Sequence, residues 1–241
     1  NPWREAGKKY RSQYFGSIAA GETVSAQAYC RARRYPTAIG AWPAAGHKLM
    51  SESQLTDFDV LVNGAGLVGS CCALLLARSG IHVAILDKDR PSKEVDHDPI
   101  RVSALNHASQ NILEHLCVWP ELAWDKSTAF ERIEVWDALS NGAISFDAAT
   151  AGLSHLGHIV ANNSLCTALH QALGHCSEAV VRFGENLVDI ESSDSCITVT
   201  LAGGEKLRAG LLIGADGAHS KVRQLAGIAQ DQSSYNHTAI V

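Results

Sequence analysis

The sequence predicts an α/β fold built around a Rossmann-like dinucleotide-binding domain that carries a β-rich insertion. Three observations predict it. A glycine-rich turn, Gly64-Ala65-Gly66-Leu67-Val68-Gly69, sits between a short β-rich apolar run and an Ala/Leu-rich helical stretch. An acidic residue, Asp87, follows Gly69 by 18 positions and ends the next apolar run. A second glycine segment, Gly214-Ala215-Asp216-Gly217-Ala218-His219-Ser220, is delivered by another apolar run near the far end of the chain.

Each element has a local reason. Residues 58–63 (FDVLVN) read as a buried parallel strand feeding into the glycines. Residues 67–79 read as a helix, with Gly80 as its stop. Residues 82–86 (HVAIL) are the next strand, completing a β-α-β unit of the usual span. Residues 88–100, with Pro91, Pro99 and several charges, read as a loop. Ala104, Leu105, Ala108, Ile112, Leu113 and Leu116 give residues 103–117 a helical rhythm. Residues 131–137 alternate, and 143–146 follow Ser140-Asn141-Gly142, so a hairpin with Asn-Gly turn chemistry is expected. Residues 163–173 return to helix. Strands are expected at 180–183, 187–191, 197–201 and 207–213, the last two joined by a Gly203-Gly204 turn. A short helix over 220–226 closes the series. The order of βαβ, mixed strands and a returning strand suggests an α/β core with a β-rich insertion.

The first glycine segment has a physical logic. Gly64 permits the tight strand-to-helix turn, Gly66 lets backbone approach a pyrophosphate, and Gly69 allows close helix–strand packing. Unpaired N–H groups at the helix start favour the phosphates, with Ala65 inside that turn. Asp87 is placed to accept from the ribose hydroxyls, and Lys88 beside it joins the candidate binding set. In the second segment, Gly217 gives Asp216 a small backbone neighbour, so that its carboxylate can reach a cofactor; the plain alternative is a tight turn before a helix. Arg101 suits bidentate contact with a pyrophosphate, the alternative being a solvated arginine at a helix start.

Composition bounds the function. A net charge of −5 leaves no basic surplus to neutralise phosphates, which argues against a nucleic-acid partner. No apolar run is long enough to span a bilayer as a helix. The eleven histidines are scattered without metal-ligand spacing, and no catalytic triad or metal cluster is expected. Seven cysteines form no CxxC pair, which points to a reducing compartment and free thiols. Residues 1–49 hold eight Lys/Arg against two acidic residues, whereas the remainder holds 12 against 23. Met50 is the only methionine. We therefore expect two parts: 1–49 as a basic, poorly ordered or non-native extension, and 50–241 as an incomplete nucleotide-binding domain with strands of a second, substrate-binding part. A basic, acid-poor leader is also the composition of a transit peptide.

RVSALNHAS, IEVWD, ISFD, SHLGHIVANN and LLIGADGAHSKVR, in that order, resemble the FAD-dependent hydroxylase family of ubiquinone biosynthesis. The resemblance runs from about Asp57 to Val241. It implies a Rossmann-like FAD-binding domain of the glutathione-reductase and aromatic-hydroxylase type with part of the substrate-domain insertion. FAD would be the cofactor, NAD(P)H the co-substrate and O2 the oxidant, with a polyprenylphenol-type lipid as substrate. The flavin carries such chemistry, so no side chain is singled out as catalytic. A lipid-borne substrate implies a cytoplasmic protein peripheral to the inner membrane or docked in a multi-enzyme complex.

Departures from the family pattern are visible. Asp87 stands where relatives usually have Glu, Asn63 where a small residue is commoner, Cys117 where Gly is usual, and Ala161 where Glu is expected. Asn162 matches a family asparagine, with helix capping as an alternative role. The Gly-Asp segment that follows in relatives has no counterpart, since the chain holds no Gly-Asp dipeptide. Two other readings stay open: a non-catalytic nucleotide-binding fragment, and a nicotinamide-dependent dehydrogenase.

Overall fold

The computed structural model describes residues 56–91, 101–122 and 127–238. The expected basic extension, Met50 and most of the loop after Pro91 lie outside the described residues.

β1 (Phe58–Asn63), α1 (Leu67–Arg78) and β2 (Val83–Asp87) form the βαβ unit in the expected register. α1 ends in a Schellman turn: Gly80 takes φ +83°, its N–H bonds Ala77 O, and Ile81 N bonds Leu76 O. Later strands complete the layer: β8 (Ala179–Phe183), β9 (Leu187–Ser192), β10 (Ile197–Leu201) and β11 (Lys206–Gly214). The sheet order is β8-β2-β1-β11-β10-β9, with the first four strands parallel and the last two pairings antiparallel. β11 serves two partners. Its first residues pair with β10, and Ala209 to Gly214 run beside Phe58 to Asn63.

Burial on both faces explains the continuous apolar runs. Val60, Val62, Val83 and Ile85 join α1 and α3 (Asn162–Gly174) in one cluster, together with Leu165, Leu169 and Leu173. Leu61, Ala84 and Leu86 face the other way, under Leu187, Val199, Leu201 and Leu207 of the β9–β11 meander. Arg182, near the end of β8, ties the meander down by a paired contact to Glu205 at 2.8 and 2.6 Å.

The inserted part differs from expectation at its start. Residues 102–106 form a strand, β3 (Val102–Asn106), and the helix begins only with α2 (His107–His115). Ala104, Leu105 and Ala108 satisfy helical spacing, but Val102, Ser103, Ala104, Leu105 and Asn106 alternate in exposure and pair with β7 (Gly157–Ala161). Asn106 caps α2, accepting from Ser109 N at 2.9 Å. After α2 the chain turns through Cys117 at φ +51°, with Val118 N bonded to Leu113 O. Here a cysteine occupies the left-handed position that glycine adopts without steric cost. Cys71, Cys72, Cys166, Cys176 and Cys196 are free thiols, as expected; Cys117 is not.

β7 is shared by β3 and β4 (Ser127–Phe130), two antiparallel pairings absent from the sequence-based reading. The expected hairpin is present as β5 (Arg132–Trp136) and β6 (Ala143–Asp147). Its turn is organised by Asp137 rather than by Asn-Gly: the Asp137 carboxylate accepts from Leu139 N and Ser140 Oγ, and Asp137 N bonds Gly142 O.

Candidate nucleotide site

Because β1 lies between β2 and β11, three chain segments leave the sheet at one carboxyl edge. In open α/β sheets this is the edge where ligands bind. The glycine turn, Asp87 and the second glycine segment all arrive there. Gly64 N bonds Leu86 O at 2.7 Å and Ala215 N bonds Asn63 O at 2.7 Å, so the three strand ends are locked to one another.

The three glycines of the turn do different work. Gly64 has φ +107°, and a β-carbon there would lie 2.4 Å from Ala215 O. At Gly69 it would lie 1.8 Å from Gly64 O. Those two positions are closed by the protein's own backbone. Gly66 is exposed, with an ordinary φ of −70°, and a β-carbon there would meet nothing within 4 Å. Its missing side chain opens outward.

Gly66 is also the N-cap of α1, with no side-chain cap and no acidic residue in the first turn. The first N–H groups of a helix have no intrahelical acceptor. Together with the helix dipole they favour an anion. The open side of Gly66 and the uncapped helix start fit a pyrophosphate.

Asp87 ends β2 and turns towards this loop. Its Oδ2 accepts from Ala65 N at 2.6 Å, and its Oδ1 accepts from Asp89 N at 2.9 Å. A carboxylate oxygen has a second lone pair, so each can still accept from a ribose hydroxyl. Cys166 of α3 lies close by; burial first, and then the Asp87 charge, push its thiol pKa up. Lys88 is exposed immediately after Asp87.

The second segment is built as a helix start. Asp216 Oδ1 accepts from Ser220 Oγ at 2.5 Å, and its Oδ2 accepts from Lys221 N at 2.6 Å and Val222 N at 3.2 Å. Ser220 in turn caps α4 (Lys221–Leu225), accepting from Arg223 N at 3.0 Å. Burial raises the Asp216 pKa, but these donors outweigh it and hold the carboxyl below its ordinary range. Gly217 has φ +82° with open space around it, so glycine is required there by backbone conformation, not by close approach.

Arg101 is exposed just before β3, and its carbonyl accepts from Asn162 N at 2.8 Å. Asn162 is the first residue of α3 and not its cap, which is Ala161. Its Oδ1 accepts from Ser103 Oγ at 2.6 Å, tying β3 to α3. Two further contributors were not singled out from sequence. Ser70 Oγ and His170 Nε2 both lie within bonding distance of Ala65 O, at 2.9 and 2.8 Å. Ser70 left a signal, being the hydroxyl of an otherwise apolar helix turn. His170 left none.

Residues 57–240 match a family model described as an FAD binding domain. The chain is 37% identical over 172 residues to the 3-demethoxyubiquinol 3-hydroxylase of Escherichia coli (strain K12), covering 70% of this chain and 44% of that protein. It is 31% identical over 201 residues to the mitochondrial ubiquinone biosynthesis monooxygenase COQ6 of Xenopus tropicalis (76% and 43%). It is 32% identical over 185 residues to the ubiquinone hydroxylase UbiL of Rhodospirillum rubrum (76% and 42%). The chain thus spans less than half the length of these relatives. Among solved structures, PqsL of P. aeruginosa in complex with 2-aminobenzoylacetate superposes with a TM-score of 0.63 at 22% identity, covering 74% of this chain and 48% of that one. The p-nitrophenol 4-monooxygenase PnpA of Pseudomonas putida DLL-E4 gives 0.61 at 21% identity (73% and 45%). These two likenesses establish the fold.

Proposed function

The chain belongs to the FAD binding domain family, and from that premise we propose that it holds FAD as the nucleotide-binding part of a monooxygenase that hydroxylates a polyprenylphenol ring in ubiquinone biosynthesis. The reading is supported by relatives named as hydroxylases and monooxygenases of that pathway. The observation that carries it is the open side of Gly66 at an uncapped helix start, beside the Asp87 carboxylate.

In this reading each residue has a role. Gly64 and Gly69 let the loop close on itself, and Ala65 carries the N–H that Asp87 holds. Gly66 leaves room for the pyrophosphate, whose charge is met by the first N–H groups of α1 and by the cations Lys88 and Arg101. Asp87 accepts from ribose hydroxyls with its remaining lone pairs. Asp216 and Gly217 shape the neighbouring turn that borders the cofactor. FAD, when bound, supplies the redox chemistry: two electrons from NAD(P)H and O2 convert a ring C–H to C–OH, with water as the second product. The chain's own part is to bind, orient and shield.

A prenylated substrate places the reaction at a membrane surface. Among the described residues no helix is long and apolar enough to cross a membrane; in this reading the lipid substrate is met at the membrane surface or through partner proteins.

The test is reconstitution of the full chain with FAD, followed by removal of free flavin. Retained yellow flavin supports the reading, and a colourless protein after saturating FAD overturns it. NAD(P)H oxidation dependent on a polyprenylphenol would extend the reading to catalysis. Flavin retention without oxidation would favour a nucleotide-binding unit that does not act alone.

A further inference from the structure

Ala65 is held through the peptides on both sides of it. Its N–H donates to Asp87 Oδ2 at 2.6 Å. Its carbonyl lies 2.9 Å from Ser70 Oγ, in α1, and 2.8 Å from His170 Nε2, in α3. A carbonyl only accepts, so His170 must carry its proton on Nε2. His170 reaches across 105 positions of sequence to do this, and its ring is steadied edge-on against Phe183 at 5.0 Å between centroids.

The consequence follows from peptide geometry. In a trans peptide the C=O of one residue and the N–H of the next point in opposite directions. The peptide joining Ala65 and Gly66 has its C=O turned into the protein, towards Ser70 and His170. The Gly66 N–H is therefore aimed the other way, towards the side where Gly66 lacks a β-carbon and the space is open. Without those two donors the peptide could flip, presenting a carbonyl oxygen to a phosphate instead of an N–H.

We propose that His170 is a positioning residue for the cofactor: it locks the Ala65–Gly66 peptide in the orientation that offers the Gly66 N–H to the pyrophosphate, with Ser70 as the second lock. The inference rests on the FAD reading above. It adds that affinity for the phosphates is set in part by a side chain that does not touch them, on the helix packed against α1.

The experiment compares wild type with His170→Phe, His170→Gln and Ser70→Ala/His170→Phe in the full chain. Phenylalanine keeps a ring against Phe183 but has no donor, whereas the Gln amide nitrogen can stand where Nε2 stood. Two quantities are measured: the Kd for FAD by flavin fluorescence, and hydrogen exchange of the segment 64–70 in the flavin-free protein. The expected result for His170→Phe is a Kd raised about tenfold, the loss of one well-placed hydrogen bond. Its midpoint of thermal unfolding should stay near wild type, and His170→Gln should restore affinity to within about twofold, since the donor is back. The double variant should be weaker than His170→Phe.

Exchange at 64–70 should be faster in the Phe variant and normal in the Gln variant, whether or not flavin binds. Equal FAD affinity in wild type and His170→Phe, or equal loss in the Phe and Gln variants, would overturn the proposal. Wild type that binds no FAD, with exchange still faster in the Phe variant, would sink the FAD reading while leaving the peptide lock standing as a structural device.

Discussion

The carbonyl oxygen of Ala215 lies 2.4 Å from the point where a β-carbon on Gly64 would be. Two glycine segments 150 positions apart in sequence are thus in backbone contact, and one would have to move if the other gained a side chain. The first two substitutions below separate this internal constraint from the external one at Gly66.

Gly64→Ala should unfold or strongly destabilise the protein, because both φ +107° and the Ala215 backbone oppose a side chain. Gly66→Val meets neither obstacle. It should cost no more than about 1 kcal/mol, the preference for glycine over valine at a helix N-cap, and yet abolish flavin retention. Thermal unfolding paired with flavin content on the same preparations checks this. A Gly66→Val protein that stays yellow would show that the pyrophosphate is misplaced in our reading.

Asp216→Ala removes the acceptor for Ser220 Oγ, Lys221 N and Val222 N. Loss of an N-terminal acceptor of this kind costs about 1–2 kcal/mol. The sign with pH is set by the depressed pKa of Asp216 in the fold. Its stabilisation is complete above the ordinary carboxylate range and is lost as pH falls through the lower folded value. The wild-type protein should therefore lose stability on acidification below about pH 4 more steeply than Asp216→Ala, as read from denaturant midpoints across pH.

His107, His155 and His158 form a ring cluster in the inserted part, His107 tilted on His155 and His155 edge-on to His158 with centroids 4.6 and 4.5 Å apart, and His158 lies edge-on to Trp119 at 4.9 Å. Burial first, and then the neighbouring imidazoles, lower the pKa of His155 and His158; Glu131 partly opposes this at His155. Both are bases with folded values below the unfolded one, so the unfolded chain binds protons first. Stability should fall as pH drops below about 6.5. Replacing His155 and His158 together by Gln should flatten the Tm profile between pH 7.5 and 5.5, and an unchanged slope would assign the acid sensitivity elsewhere.

Gly157→Ala tests the three-stranded sheet of the insertion. A β-carbon there would lie 2.2 Å from Leu105 O and 2.9 Å from Phe130 Cζ, between the two strands that flank β7. Overpacking of this kind costs about 1–3 kcal/mol. Circular dichroism melting gives the loss directly, and flavin affinity measured well below the melt should be unaffected, because Gly157 is not among the residues of the nucleotide edge.

Much of the nucleotide edge is legible in the chain because its signals are local. A strand, a glycine turn, a helix with Gly80 beyond it and an acidic strand end lie within residues 58–87, and each depends on its near neighbours. The inserted part is harder to read. Residues 102–108 satisfy the spacing of a helix and the alternation of a strand at once, and pairing with β7 decides between them. β4 and β7 leave weak traces because their partners are distant in sequence. Asp216 was readable as important, but its hydrogen bonds to the start of α4 show in the first instance a capping carboxylate.

The sequence by itself determined the βαβ unit, the glycine turn with its acidic partner and the family to which the chain belongs, since these rest on residue type and short spacing. The tertiary structure alone decided that β11 runs parallel beside β1. That adjacency brings the Ala215–Asp216 backbone against Gly64, and the packing of α3 on α1 brings His170 to the carbonyl of Ala65. Neither contact has a local signature. Strand order and helix packing come from burying both faces of one sheet, and that is a property of the whole chain.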